Sequence, residues 1–241
     1  PDPNPVCTRF LESHRDQLPT DLDVIGNRYI SAVSREMDGW LDTVDPKEPL
    51  GVMFSGGIDS GAILLLLYDR LLKRGESPQR LKAFTLCVDE SGEDLSQASD
   101  FLKAVDLDMF LEAIHVSRED LDISETIRVI EDYKPLDVQS ATMGLALCRG
   151  IRKRYPDWKY ILDGDGGDEN LRDYPIEENP ELTIRSVLSN PFFYHEGWGV
   201  EAVKHSLTYS GGQSRGHVRT SAPASTQGFA GFSPFATPNV I

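Results

Sequence analysis

The sequence predicts an α/β fold in which a parallel sheet carries helices on both faces. Short apolar runs of strand length alternate with longer amphipathic segments along most of the 241-residue chain. Two glycine-rich stretches, at 55–61 and 164–167, each follow a predicted strand. Strands that alternate with helices favour a parallel sheet, whose ligands bind beyond the carboxyl ends of the strands. We therefore expect the two stretches to meet at one binding edge.

The first elements follow from the spacing of apolar residues. One helical face would carry Ile25, Tyr29, Val33, Met37 and Trp40. This spacing predicts an amphipathic helix, which the proline-containing segment 45–49 ends. Residues 50–54 then predict a buried strand, and residues 62–73 predict an apolar helix that Gly75 closes.

The same alternation continues through the middle of the chain. Further strands are predicted at 81–88, 109–116 and 158–162, and further helices at 95–105, 118–132 and 140–154. From about residue 206 the composition changes, because residues 206–241 contain no acid and are rich in Ser, Gly, Ala, Thr and Pro. We expect an irregular or helical C-terminal segment there.

The charge balance disfavours nucleic acid as a partner. The net charge is −15, from 39 acidic residues against 24 lysines and arginines, and such a surface repels phosphate backbones. The one dense basic run, at 149–154, is interpreted as a solvated helix face.

The cysteines and the apolar runs indicate the compartment. Cys7, Cys87 and Cys148 are odd in number and form no Cys-x-x-Cys pair, which disfavours a disulfide framework or a zinc site. The last two lie in apolar stretches and are expected to be buried and unreactive. No run of about 18 apolar residues and no signal peptide occurs. We expect a cytoplasmic protein without membrane association.

The string Ser-Gly-Gly-Ile-Asp-Ser lies between a predicted strand and an apolar helix. Its glycines, Gly56 and Gly57, let the backbone turn tightly and direct N–H groups at a phosphate. Ser55 and Ser60 add hydroxyl donors, and the helix directs its positive end at the same anion. Asp59 can bind a magnesium ion that bridges phosphates. The string is not a Walker loop, since no Gly-Lys-Ser/Thr follows; a plain glycine turn is the alternative.

A second string, Asp-Gly-Asp-Gly-Gly-Asp-Glu, runs from Asp163 to Glu169 directly after the last predicted strand. Its four acids lie close enough to repel one another, which a bound cation or ordered hydrogen-bond donors would offset. An ATP–magnesium site supplies such a cation. The alternative is an acidic surface turn.

Together the two strings resemble the synthetase domain of the asparagine synthetase family, which includes the β-lactam synthetases. That family carries Ser-Gly-Gly-Leu/Ile-Asp-Ser and later Ser-Gly-Glu-Gly-Ala/Ser-Asp-Glu. Here Asp163 replaces the serine and Asp165 the first glutamate of the second string. Residues 83–85 resemble the family's Thr-Phe-Ser beside the adenine, and residues 89–91 its Asp-Glu-Ser. The resemblance implies the fold of the PP-loop ATP pyrophosphatases, which split ATP between its α- and β-phosphates.

A weaker resemblance covers the C-terminal segment. The family has Arg-x-Asp followed by Gly-Leu-Glu-x-Arg-x-Pro-Phe-Leu-Asp, and the spacing from Arg219 to Pro234 fits. The charged members are replaced here by Ser221, Ala230, Phe232 and Thr237. The acid substrate is therefore expected to differ from aspartate. We divide the chain into a lead-in at 1–21, a PP-loop synthetase domain at 22–205 and a substrate-side segment at 206–241.

The resemblance implies roles for individual residues. Those implied to hold ATP are Met53, Ser55, Gly56, Gly57, Asp59, Ser60, Thr85 and Gly164. Asp59 and Asp168 would ligate Mg²⁺, and Asp165 and Asp168 would act in catalysis. Asp165 replaces a glutamate that, in the β-lactam synthetases, works with a tyrosine to activate the nucleophile. Its side chain is about one methylene shorter than that glutamate.

The family reaction is implied as well. A carboxylate attacks the α-phosphate of magnesium-bound ATP to give an acyl-adenylate and pyrophosphate, and a nitrogen nucleophile then displaces AMP to form an amide. The expected partners are a small-molecule carboxylate and, as nitrogen source, ammonia, an amine or a separate glutaminase. The family's glutaminase domain, and its lysine after Pro-Phe-Leu-Asp, have no counterpart in these residues, so no glutamine hydrolysis is expected. A homo-oligomer is compatible with the sequence.

Three other functions remain open. A PP-loop sulfur transferase would need a reactive cysteine near the phosphate loop. An enzyme like the NAD or GMP synthetases would share that loop, but those families lack the acidic string. A nucleotide-binding relic without catalysis would need only the loop itself.

Overall fold

In the part of the chain that the structure describes, five strands form one sheet in which every neighbouring pair is parallel. The computed structural model describes residues 19–89, 93–133, 135–167, 217–237 and 239–240. The strands are β1 (Leu50–Met53), β2 (Leu81–Val88), β3 (Leu111–Val116), β4 (Tyr160–Leu162) and β5 (Ala230–Phe232). Their order is β3-β2-β1-β4-β5. The predicted parallel sheet is confirmed.

Helices connect most of these strands. They are α1 (Leu22–Leu41), α2 (Ile58–Lys73), α3 (Glu93–Ala104), α4 (Ile123–Ile130), α5 (Pro135–Arg154) and α6 (Ala222–Thr226). A π-helical turn, His217–Ser221, leads directly into α6. None of the described helices is both long enough and apolar enough to cross a bilayer.

Four helices begin at different residues from those predicted. Of these, α2 begins at Ile58 rather than at residue 62, and α3 begins at Glu93 rather than at residue 95. A separate 3₁₀ turn, Arg118–Asp120, takes up the start of the helix predicted at 118–132, and Asp122 then caps α4 by accepting the Glu125 N–H at 2.8 Å. α5 begins at Pro135 rather than at residue 140. Proline suits the first turn of a helix, where its missing N–H would have no partner.

Helices cover both faces of the sheet, as predicted. Alternate side chains of β2 point to opposite faces, so that Ala83 belongs to one core cluster and Phe84 to the other. The first cluster joins the sheet to α1, α2 and α3, with Met37 and Leu64 fully buried in it. The second joins it to α5 and α6 and contains Ile151. Both faces are therefore shielded, which a parallel sheet requires.

The C-terminal segment, expected to be irregular or helical, also supplies the edge strand β5. This strand pairs with β4 over three residues, from Tyr160 opposite Ala230 to Leu162 opposite Phe232. A strand of the composition Ala-Gly-Phe has neither the length nor the β-branched residues that mark a strand in sequence. Its pairing depends on the exposed edge of β4. The predicted boundary at 205–206 lies outside the described residues.

Two arginines of the basic run at 149–154 contact the protein itself, and Lys153 and Arg154 are exposed, as predicted for a solvated helix face. Arg149 pairs with Glu125. Arg152 donates from Nε to the Gln227 carbonyl at 2.8 Å and lies over the Phe229 ring, 4.0 Å from its centroid. This arginine therefore joins α5 to the chain before β5 instead of facing solvent.

Candidate nucleotide-binding and catalytic site

β1 and β4 are neighbouring strands at the point where the direction of the strand order reverses. From β1 the sheet grows through β2 to β3 on one side, and through β4 to β5 on the other. Ligands of open parallel sheets bind at such a switch point, beyond the carboxyl ends of the strands. The loop after β1 (the phosphate loop, 54–57) and the loop after β4 (the acidic loop, 163–167) meet there.

The phosphate loop forms a closed turn at the start of α2. Gly56 has a φ of +79°, and a Cβ there would lie 2.6 Å from the backbone nitrogen of Ala98, so glycine is required. Gly57 caps α2 in an extended conformation. The Ser60 hydroxyl accepts the Ser55 N–H at 3.3 Å and donates to the Gly57 carbonyl at 3.2 Å. The N-terminus of a 16-residue helix thus lies beside two serine hydroxyls, an arrangement suited to phosphate.

The acidic loop packs directly on the phosphate loop through its glycines. A Cβ on Gly164 would lie 2.7 Å from the backbone nitrogen of Ser60, and one on Gly167 would lie 2.3 Å from Cγ of Asp59. A larger residue fits neither place unless the loops move. The structure therefore brings together the two strings that the sequence singled out. Asp168, which follows Gly167 in the sequence, lies outside the described residues.

Asp163 is a buried acid at the end of β4, with 4% of its surface exposed. Its Oδ2 accepts the Ser233 hydroxyl at 2.9 Å, and its Oδ1 accepts the Asp165 N–H at 3.1 Å. Burial raises the pKa of Asp163 from 3.8 to about 6, against the opposing effect of the hydrogen bonds from Ser233 and the Asp165 N–H. The ionised form is therefore held at neutral pH by donors rather than by water.

Asp165 is the described acid of this loop that lines the neighbouring cavity. Thr220, in the π-helical turn, donates its hydroxyl to Oδ2 of Asp165 at 2.7 Å. The two residues are 55 positions apart. The sequence prediction included Asp165 but not its hydroxyl partner, for which no local pattern exists.

A cavity of about 760 Å³ opens between the two loops, the ends of β1 and β2, and α5. Its volume is in the range of small-molecule sites. The predicted site residues that line it are Met53, Ser55, Thr85 and Asp165. The remaining described ones, in the two loops and the first turn of α2, are Gly56, Gly57, Asp59, Ser60 and Gly164. The Thr85 hydroxyl donates to the Phe54 carbonyl at 2.7 Å, so this buried side chain also joins β2 to the phosphate loop.

One wall of the cavity was not predicted. It is formed by α5 and the π-helical turn, through Gln139, Ser140, Met143, Gly144, Leu147, Arg219 and Thr220. Arg219 donates from Nε to Oδ1 of Asp137 at 2.8 Å, and the Asp137 side chain is only 1% exposed. A Cβ on Gly144 would lie 2.9 Å from the Arg219 carbonyl oxygen, so glycine lets the turn approach α5. The spacing of the α5 residues indicates one helical face, but not that this face lines a site.

The two described cysteines are buried, as predicted. Burial raises the pKa of Cys148 to about 12. Cys148 packs in the second core cluster, whereas Cys87 lies in β2 and does not line the cavity. Neither thiol is placed for a nucleophilic role at the phosphate loop. Cys7 lies outside the described residues.

A sequence model of the asparagine synthase family matches residues 43–222. The chain belongs to the asparagine synthase family. Asparagine synthetase B (glutamine-hydrolyzing) of Escherichia coli (strain K12) is 26% identical over 174 residues, which are 64% of this chain and 31% of that protein. A probable glutamine-hydrolyzing asparagine synthetase of Dictyostelium discoideum is 26% identical over 132 residues, 52% of this chain and 23% of that protein. The chain thus spans less than a third of the curated relatives it matches.

Two residues of this asparagine synthase family member depart from the motif with a visible structural consequence. Phe232, where the resemblance places an arginine, stacks on Trp40 of α1 with the ring centroids 5.0 Å apart. Asp163, where it places a serine, accepts the hydroxyl of Ser233. The edge of the sheet thus has an aromatic contact at a position that is charged in the family motif. The acidic loop has a buried carboxylate where that motif has a serine.

Proposed function

We propose that this domain is an ATP-dependent ligase that adenylates a carboxylate, releases pyrophosphate and forms an amide with release of AMP. The observation that carries the proposal is the packing of the acidic loop on the phosphate loop, with Gly164 against Ser60 and Gly167 against Asp59. This packing assembles anion-binding groups and the carboxylate of Asp165 around one cavity. Membership of the asparagine synthase family supports the same class of chemistry.

ATP would bind with its phosphates on the phosphate loop and its adenosine along the ends of β1 and β2. Met53 and Thr85 line that side of the cavity. The serine hydroxyls and N–H groups of the phosphate loop supply the donors for pyrophosphate. Gly164 has no side chain and so lets the acidic loop pack on Ser60, beside the proposed phosphate site.

Mg²⁺ fits the groups at the contact between the two loops. This ion prefers oxygen ligands and takes one or two carboxylates together with substrate phosphates. Asp59 supplies a carboxylate in the first turn of α2, and Gly167, the residue before Asp168, packs against it. Within the described ranges no group of three metal-binding side chains occurs. Asp59 and Asp168 are its proposed ligands, and the bound ion would neutralise phosphate charge.

The proposed chemistry has two steps. A substrate carboxylate oxygen attacks the α-phosphorus, the bond to the bridging oxygen breaks, and pyrophosphate leaves. The nitrogen nucleophile then attacks the acyl carbon, AMP leaves with the bonding electrons, and a base takes the nitrogen's proton. Asp165 is the proposed base, because its carboxylate lines the cavity beside the phosphate loop. Asp168 would act with it through the ion.

The proposed acid substrate differs from aspartate, and its nitrogen comes from ammonia, an amine or a glutaminase. Two observations support a changed acid. Four charged positions of the C-terminal motif, at 221, 230, 232 and 237, are uncharged here. The wall formed by α5 presents Met143 and Leu147 beside Gln139 and Ser140. The α5 residues of this wall offer apolar contact and neutral hydrogen-bonding groups beside the guanidinium group of Arg219.

ATP–pyrophosphate exchange tests the proposal, because exchange reports adenylation without the nitrogen substrate. The chain is incubated with Mg²⁺, ATP and a panel of amino acids and longer apolar acids, with an acid-free control. The ligase function is supported if exchange depends on one acid and if that acid is converted to its amide when ammonium is added. If no acid promotes exchange although ATP binds, the ligase is refuted in favour of a nucleotide-binding relic.

Asp59→Asn tests the placement of the ion. We expect magnesium-dependent turnover to fall at least about 100-fold with the fold unchanged, since an amide is a weak magnesium ligand. Asp69→Asn is the matched control on the same helix, where the exposed Asp69 pairs with Lys73 at 2.9 Å, and it should retain activity. Wild-type turnover in Asp59→Asn would show that the ion lies elsewhere.

A further inference from the structure

Hydroxyl groups of the C-terminal segment meet two acids of the acidic loop. Thr220 donates to Asp165 at 2.7 Å, and Ser233 donates to Asp163 at 2.9 Å. The segment that supplies these hydroxyls contains no acid. It therefore adds hydrogen-bond donors to the acidic loop without adding charge repulsion.

The turn that carries Thr220 is held firmly against α5. Its neighbour Arg219 donates to Asp137, a side chain that is 1% exposed, at 2.8 Å. A Cβ on Gly144 of α5 would lie 2.9 Å from the Arg219 carbonyl oxygen, so backbone rests on backbone at this point. Separating a buried ion pair is strongly unfavourable. The backbone that carries Thr220 is therefore held by α5, independently of Asp165.

The backbone of Asp165 is held separately from its carboxylate. Its N–H donates to Oδ1 of Asp163 at 3.1 Å. The next residue, Gly166, has a φ of +100°, and a Cβ there would lie 3.1 Å from the nitrogen of Ala236. Because the backbone is fixed, the side chain can change only by rotation about its torsions. The hydrogen bond from Thr220 selects one of these orientations.

We propose that Thr220 is a positioning residue, whose hydroxyl orients the carboxylate of Asp165 toward the nitrogen nucleophile. The inference rests on the proposed function, in which Asp165 takes the proton from that nitrogen. A general base must lie within hydrogen-bond reach of the proton it removes, and an aspartate reaches about one methylene less far than a glutamate. Holding the shorter side chain in one orientation offsets that loss. No bond to Thr220 forms or breaks.

Two substitutions at this position separate the hydroxyl from the shape of the side chain. Thr220→Val removes the hydroxyl with little change in volume, and Thr220→Ser restores it. Thr226→Val is the matched control in α6, because the exposed Thr226 hydroxyl donates to the Ala222 carbonyl at 3.0 Å and does not line the cavity. Each variant is assayed for ATP–pyrophosphate exchange, which reports adenylation, and for amide formation with ammonium.

We expect Thr220→Val to slow amide formation about 10- to 100-fold while exchange stays within about twofold of wild type. The deficit should shrink toward high pH, where hydroxide can take the nitrogen's proton in place of Asp165. Thr220→Ser and Thr226→Val should behave like wild type. A purely structural role would lower both reactions together at every pH. Equal losses in the two reactions, or no loss in either, would overturn the proposal.

The orientation of Asp165 provides a readout that does not depend on activity. Crystal structures of Thr220→Val and Thr220→Ser are compared with the wild type. An Asp165 carboxylate that is rotated in the valine variant and restored in the serine variant supports the proposal, and an unchanged carboxylate in the valine variant overturns it. If wild-type protein shows no exchange, the ligase function fails, but these structures still decide the role of Thr220.

Discussion

Asp163→Asn removes a buried carboxyl group, and its effect on stability should depend strongly on pH. Burial raises the pKa of Asp163 from 3.8 to about 6, whereas the unfolded chain exposes the group to water. Between these two values the folded protein keeps a proton that the unfolded chain has released. The stability contribution of Asp163 is therefore fully present below pH 3.8 and lost as pH rises through about 6.

The magnitude follows from the distance between the two pKa values. The interval from 3.8 to about 6 corresponds to about 3 kcal/mol, at about 1.36 kcal/mol per pH unit. An asparagine side chain has no such titration. Its amide cannot accept hydrogen bonds from both Ser233 and the Asp165 N–H as the carboxylate does. The lost hydrogen bond lowers the free energy of unfolding of the variant by about 1–3 kcal/mol at every pH, so it does not change the dependence on pH.

Urea denaturation followed by tryptophan fluorescence between about pH 4 and pH 7 measures the effect. The free energy of unfolding of Asp163→Asn minus that of wild type should increase by about 2–3 kcal/mol across this range. Titrating groups distant from Asp163 are shared by the two proteins and cancel in the difference. Asp69→Asn, at a side chain 43% exposed, serves as the surface control and should stay within about 0.5 kcal/mol of wild type. A difference that is constant with pH, or that decreases toward neutral pH, would refute the reasoning.

Two further predictions concern packing at the site. Gly167→Ala places a Cβ 2.3 Å from Cγ of Asp59. Asp59 must rotate to relieve this clash, which should weaken magnesium–ATP binding about tenfold or more in calorimetric titration. Gly39→Ala in α1 is the control, because nothing lies within 4 Å of the added Cβ; it should leave binding intact and stabilise the helix by about 0.5–1 kcal/mol. Arg219→Ala leaves the carboxylate of Asp137 buried without its ion-pair partner and should lower the free energy of unfolding by about 3–5 kcal/mol in urea; a loss below about 1 kcal/mol would contradict a rigidly held turn.

Local features of the sequence were sufficient for most of the fold. The strand predicted at 81–88 is present as Leu81–Val88, since an apolar run between breaks reports burial within one element. The first residues of the helices differ from those predicted, because a cap such as Asp122 or the proline at 135 decides where a helix begins. The strand β5 was missed, since three residues of low β-propensity become a strand only by pairing with β4.

The sequence by itself determined the parallel α/β order and the meeting of two glycine-rich loops at one edge. Periodicity, turn residues and motif spacing are properties of neighbouring residues, and the parallel sheet then places the ends of β1 and β4 together. Only the tertiary structure decided the third side of the site. The contacts of Thr220 with Asp165, Ser233 with Asp163 and Arg219 with Asp137 join residues 55, 70 and 82 positions apart. They arise because the chain returns to pair β5 with β4, which brings an acid-free segment of donors against the acidic loop.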